Sequence, residues 1–217
     1  NSVGGAGIDN QTGLVQAFAN KFALGADQTW QSTANGGGLN FNGTTNLAGY
    51  NLTLALASSG SSTMTFAGNI SGGVGSLTLS GNGSVILTAT ASYTGATTIN
   101  SGATLQTSGS GTLASSTDVT VNAGGTYDLN GISDTISTIA GAGSISLGSA
   151  KLTTGGNAST TFSGVISDGG AGGSIDKRGS GTLTLSGANT FGGGVILNAG
   201  AIEVGHNSAL GTGTLRS

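Results

Sequence analysis

Short runs of apolar–polar alternation recur along the whole chain. Gly181-Thr-Leu-Thr-Leu-Ser186 puts Leu183 and Leu185 on one face and Thr182, Thr184 and Ser186 on the other. Ser76-Leu-Thr-Leu-Ser80, Asn51-Leu-Thr-Leu-Ala-Leu56, Val119-Thr-Val121 and Gly143-Ser-Ile-Ser-Leu147 repeat the pattern. Successive side chains of a strand point to opposite faces, so each run predicts a short, half-buried strand. Gly, Asn and Ser punctuate the runs every few residues, as turns require. Gly13–Leu24, with Leu14, Val15, Phe18 and Phe22, also has spacing suited to a helix; a further strand is the alternative.

The strands are arranged in repeats. Tyr93-Thr-Gly-Ala-Thr-Thr-Ile-Asn-Ser-Gly102 matches Phe191-Gly-Gly-Gly-Val-Ile-Leu-Asn-Ala-Gly200, and Gly81-Asn-Gly-Ser-Val85 matches Gly179-Ser-Gly-Thr-Leu183, both at an offset of 98. Phe66-Ala-Gly-Asn-Ile70 matches Phe162-Ser-Gly-Val-Ile166 at 96. A shorter echo, Ile99-Asn-Ser-Gly102 in Val121-Asn-Ala-Gly124, has an offset of 22. A long period enclosing a short one reads as a solenoid, each turn being one supersecondary unit that stacks on the next. The expected fold is all-β: a β-solenoid of roughly 10 turns of about 20–25 residues. At about 4.8 Å per stacked strand the rod would be about 48 Å long. Residues 1–217 form a single segment on this reading, with imperfect long copies at about 66–105 and 162–203.

Composition excludes several other classes. Pro and Cys are absent, which removes disulfides, Cys-based metal sites and thiol nucleophiles. Gly is 44 of 217 residues, but without the strict triplet period and Pro of collagen. Charged residues are 6 % of the chain, where about 25 % is usual. Lys and Arg total 5 and the net charge is −3, so no basic face exists for nucleic acid. A nearly uncharged chain with evenly scattered aliphatics suits a narrow core drawn out along an axis.

From Ile175-Asp-Lys-Arg-Gly-Ser-Gly-Thr-Leu-Thr-Leu-Ser-Gly-Ala-Asn-Thr-Phe-Gly-Gly-Gly-Val-Ile-Leu-Asn-Ala-Gly-Ala-Ile-Glu-Val-Gly205 the chain resembles the autotransporter-associated β-strand repeat of type V secretion passenger domains. The match is close from Lys177 to Ile202, and residues 83–105 form a degenerate copy. The resemblance implies a right-handed parallel β-helix at the surface of a Gram-negative bacterium. It also implies a C-terminal outer-membrane β-barrel elsewhere in the parent chain. The absence of an initiator Met and the stop at Gly211-Thr-Gly-Thr-Leu-Arg-Ser217 lead us to expect a segment of a longer protein.

Candidate chemistry is sparse. His206 is the sole His and sits in a turn-like Val204-Gly-His-Asn-Ser208. The eight carboxylates are spread along the chain, with Asp118 and Asp128 expected on neighbouring turns. Gly4-Gly-Ala-Gly-Ile-Asp9 begins like a calcium nonapeptide but has Gln11 at the apolar position and no second copy. No cofactor, metal or catalytic residue is expected, and the chain is read as a non-enzyme. Trp30, Tyr93 and Tyr127, with Lys177 and Arg178, are the candidate contacts to a glycan or protein partner, the aromatics being able to stack on sugars.

The expected function is a structural stalk or passenger segment forming an adhesive or matrix rod or fibre. Three other readings stand beside it: a glycan- or host-protein-binding adhesin module, a subunit that self-associates end to end into filaments, and, last, a polysaccharide-active enzyme.

Overall fold

The computed structural model describes residues 2–3, 7–32, 37–57 and 62–217. Every strand pairing among them is parallel, and they contain no helix. The Gly13–Leu24 stretch forms two strands, Val15–Phe18 and Phe22–Leu24. The alternation within such strands puts alternate residues inside, as in Ala103–Thr107, where Ala103, Leu105 and Thr107 are buried and Thr104 and Gln106 half-buried.

The strands stack as a three-faced solenoid. The first face is a ladder of ten strands, running from Asp9–Asn10 through Leu77–Ser80 and Thr97–Ile99 to Ala201–Val204. The second face holds eight, from Val15–Phe18 to Val165–Ser167. The third is divided: four strands end at Ile70–Ser71, and five begin at Asp134–Ile136. Steps along the first face range from 25 residues (Leu52 to Leu77) to 19 (Leu185 to Val204). The rod has about nine turns, against the roughly ten expected.

Aliphatic and aromatic side chains fill the interior. Leu39, Met64, Val85, Leu105, Tyr127, Ile145 and Ile166 form one inward rank of the second face. Phe18, Phe41 and Phe66 form another, with Phe41 and Phe66 stacked at 4.7 Å and Trp30 over Phe41 at 4.8 Å. Stacked rings of this kind add about 0.5–1.5 kcal/mol per pair beyond their buried area. Outside, Thr29, Thr53, Thr78, Thr98 and Thr120 lie in register on the first face. Asn122 Nδ2 donates to Asn100 Oδ1 at 2.7 Å, an uncharged bond between turns.

Side chains replace backbone where the ladders break. Between Ile70–Ser71 and Asp134–Ile136 the third face continues through the Ile70–Ala91 bridge, the Ala91 N–H to the Thr112 carbonyl, and the Leu113 N–H to Asp134 Oδ2. Beyond Val165–Ser167 the second face has no further strand, and buried Asn189 takes the place of one. Its Oδ1 accepts from the Ile166 N–H at 2.8 Å and its Nδ2 donates to the Ala209 carbonyl at 2.6 Å. Asn189→Leu leaves a buried N–H and C=O unpaired and is expected to destabilise the fold by about 2–4 kcal/mol. Urea titration checks this, with loss of amide-exchange protection at Ile166 as the local signature.

The long sequence period does not coincide with a whole number of turns. Leu77–Ser80 lies on the first face, whereas the strand that overlaps its counterpart 98 residues on, Ser174–Lys177, lies on the third. Gly83–Leu87 is on the second face and Thr182–Leu185 on the first. The long offset therefore spans four turns plus two faces, and the copies point in different directions.

Candidate functional site

The structure corrects the sequence-based choice of partner-contacting aromatics. Trp30, Tyr93 and Tyr127 are all completely buried. A ring enclosed by the core offers no face to a sugar, so these three are not glycan contacts in the folded chain. Tyr93 and its counterpart Phe191 are both core fillers, although they sit at different faces of the rod.

Two polar links sit with the tyrosines. Tyr93 Oη and Thr97 Oγ1 are 2.6 Å apart, and Tyr127 Oη donates to Asp134 Oδ2 at 2.5 Å. Asp134 also accepts the N–H groups of Leu113 and Thr135. Burial pushes the Asp134 carboxyl above its ordinary 3.8, outweighing these bonds. Burial, and next the neighbouring Asp134 charge, push the Tyr127 phenol up. A raised carboxyl favours the protonated folded form. Its contribution is complete below pH 3.8 and is lost as pH rises through the folded-state value. Asp134→Asn is expected to abolish that loss, so stability curves of variant and native chain should diverge as pH rises above about 4.

Lys177 and Arg178 part company. Lys177 points inward, 3 % exposed, and its ammonium donates to the Gly179 carbonyl; it is not a surface contact either. Arg178 lies outside and pairs with Asp176, whose carboxylate also meets Lys151 at 3.7 Å and accepts from Asn198 at 2.6 Å. Arg178 is thus the one member of the proposed contact set on the surface.

The remaining candidates are separated. Asp118 bonds Thr138 before a first-face strand, whereas Asp128 bonds Gln106 from the second face of the same turn. They share a turn and do not lie on neighbouring ones. His206 is exposed, its Nδ1 accepting from the Ser208 N–H. Among the described residues no group of three His, Cys, Asp or Glu gathers. Of the calcium-like segment, Gly4, Gly5 and Ala6 lie outside the described residues; Asp9 accepts from Gln11.

The surface feature that sequence reasoning passed over is Tyr50. It is 39 % exposed at the corner leading into the first face, and Val74, 77 % exposed, lies at the same corner one turn on. Asp27, Asn51 and Ser76 form a polar ladder along that corner: Asn51 N–H to Asp27 Oδ1 at 2.8 Å, and Ser76 Oγ to Asn51 Oδ1 at 2.6 Å. The available signal was local. Tyr50 follows Ala48 and Gly49, whose φ angles of 53° and 88° make the turn that carries it out of the strand alternation.

Residues 77–107 and 175–204 each match the passenger-associated-transport-repeat family. The chain carries autotransporter passenger repeats. Outside these two passenger repeats the likeness continues: the chain is 37 % identical over 188 residues to the adhesin BmaC autotransporter of Brucella suis biovar 1 (strain 1330). That alignment covers 80 % of this chain and 5 % of the adhesin. No solved structure shows a significant match. The strands of the first passenger repeat lie on the first, second, first and second faces, with the Ala91 bridge of the third face between them; the second repeat starts on the third face. Their common feature is the inward rank and its corners, such as Leu77, Leu79 and Val85 against Ile175, Lys177 and Leu183.

Proposed function

We propose that residues 1–217 are one stretch of a β-solenoid stalk within a longer passenger, displayed on or released from the surface of a Gram-negative bacterium. Its role is that of an adhesive or structural rod and not a catalyst. The observation that carries this is the first-face ladder of ten parallel strands over a buried aliphatic core. The relative named as an adhesin supports the adhesive reading. The partners that follow are the outer-membrane β-barrel of the parent chain and a glycan or protein on a facing surface. Fractionation of the native polypeptide tests the proposal. A product far above 20.5 kDa in the outer-membrane fraction is expected. A free cytoplasmic product near that mass would overturn it.

The Tyr50 corner favours a glycan contact in addition to a spacer role. An exposed phenol ring next to the Asp27–Asn51–Ser76 ladder combines a stacking surface with hydrogen-bonding groups. Tyr50→Ala is expected to lower binding to immobilised host-cell glycans about tenfold, equivalent to about 1.4 kcal/mol, with an unchanged unfolding curve. Equal binding by the variant would restrict the segment to a spacer.

A further inference from the structure

The inward rank of the third face reads Ile136, Thr154, Lys177, Leu197, so two polar residues stand where the rank is otherwise aliphatic. The neighbouring inward rank of the first face reads Ile139, Thr160, Leu183, again with one polar interruption. These three interruptions, Thr154, Thr160 and Lys177, line a single cavity of about 10 Å³ at the corner between the two faces. Thr154 is 3 % exposed and its Oγ1 has no hydrogen-bond partner. Lys177, equally buried, makes no ion pair within 4 Å among the described residues, and the Gly179 carbonyl takes only one of its three N–H groups.

The lining is therefore rich in donors and positively charged, with no carboxylate facing it. A buried ammonium is costly unless it is paired. The inner space takes about one water-sized occupant, which favours a monatomic ligand at the Lys177 ammonium over a polyatomic one. We propose that this corner is a binding site for a single halide ion, chloride in ordinary media, held by Lys177 Nζ and the hydroxyls of Thr154 and Thr160. In the first passenger repeat the position of Lys177 is taken by Leu79, which is fully buried and needs no counter-ion. The site thus belongs to the second repeat alone.

The test uses the whole chain in buffers of matched ionic strength, with chloride replaced by gluconate. Chloride in several-fold excess over its dissociation constant is expected to raise Tm by about 2–4 °C. The rise should vanish in Lys177→Met and in the near-isosteric double variant Thr154→Val/Thr160→Val, which keeps the core volume. Crystals soaked in bromide should show an anomalous peak within hydrogen-bonding distance of Lys177 Nζ. An equal chloride response in native chain and double variant, or a water at the site with no bromide peak, would overturn the proposal. Should Lys177→Met fail to fold, the double variant and the bromide map decide it.

Discussion

Replacing Asp168 with alanine is expected to cost about 3 kcal/mol and to loosen two turns together. The Asp168 carboxylate accepts four backbone N–H groups: Gly170 on Oδ1 at 2.9 Å, and Gly172, Gly173 and Gly192 on Oδ2 at 2.9, 3.1 and 2.8 Å. Three belong to its own glycine loop and the fourth to the next turn, so one side chain closes a loop and ties it to its neighbour. Hydrogen bonds to a charged acceptor contribute about 1.5–3 kcal/mol each. Water can replace part of that at the exposed loop amides, which keeps the expected loss below the sum. The Gly192 N–H leads the set of donors holding the carboxyl below its ordinary 3.8. A lowered carboxyl stabilises the fold above pH 3.8, and that contribution is lost as pH falls through the folded-state value. Urea midpoints at pH 7 and pH 3 should therefore converge for native chain and Asp168→Ala in acid. A difference that persists undiminished in acid would assign the effect to packing. This dependence runs opposite to that of Asp134, so the two carboxylates act on different limbs of the stability profile.

Gly164→Val is expected to be at least as damaging, at about 3 kcal/mol or more. Gly143, Gly164 and Gly187 stack at the corner between the first and second faces. A Cβ on Gly164 would lie 1.8 Å from the Gly143 carbonyl oxygen, and one on Gly187 1.7 Å from that of Gly164. These atoms are backbone, and the turn spacing is set by the ladders on either side, so neither partner can retreat alone. Gly155→Ala is the control. Its nearest neighbour, the Ile136 carbonyl oxygen, would be 3.9 Å from the new Cβ, and a change within about 0.5 kcal/mol is expected. Thermal unfolding of the two variants side by side measures the difference. Similar losses in both would show that the corner yields where the ladder geometry says it should not.

Close stacking also explains why so many glycines occur in a chain that is not a linker. At positions such as Gly43, Gly68 and Gly164 a carbonyl of one turn lies under the α-carbon of the next, while others, such as Gly169 and Gly170, serve turns that need positive φ.

Strand class and stacking were legible from residues alone. Alternation such as Leu77-Thr78-Leu79 fixes which side is buried, and offsets near 22 fix the turn length. Both are local properties, since one residue's parity and its distance to the next copy suffice. The same reasoning failed for Tyr93, which lies between strands and has no parity to read; Trp30 and Tyr127 sit at inward positions of the strands Gln28–Ser32 and Thr126–Asp128, where the aromatic's chemistry was weighed in place of its parity. Lys177 was misplaced outward for a related reason. Its parity with Ile175 pointed inward, but charge argued for solvent, and only the cavity between Thr154 and Thr160 shows how the chain accommodates it. Asn189 and Asp134 serve as strand substitutes where ladders end, which depends on residues about twenty positions away along the chain.

The sequence by itself determined the β class, the parallel stacking and the solenoid period, because those follow from side-chain alternation and repeat length. Only the tertiary structure decided which face each repeat occupies and which polar groups are enclosed. Turn lengths from 19 to 25 residues accumulate along the axis, and that accumulated phase, invisible in any single turn, sets where each later residue points.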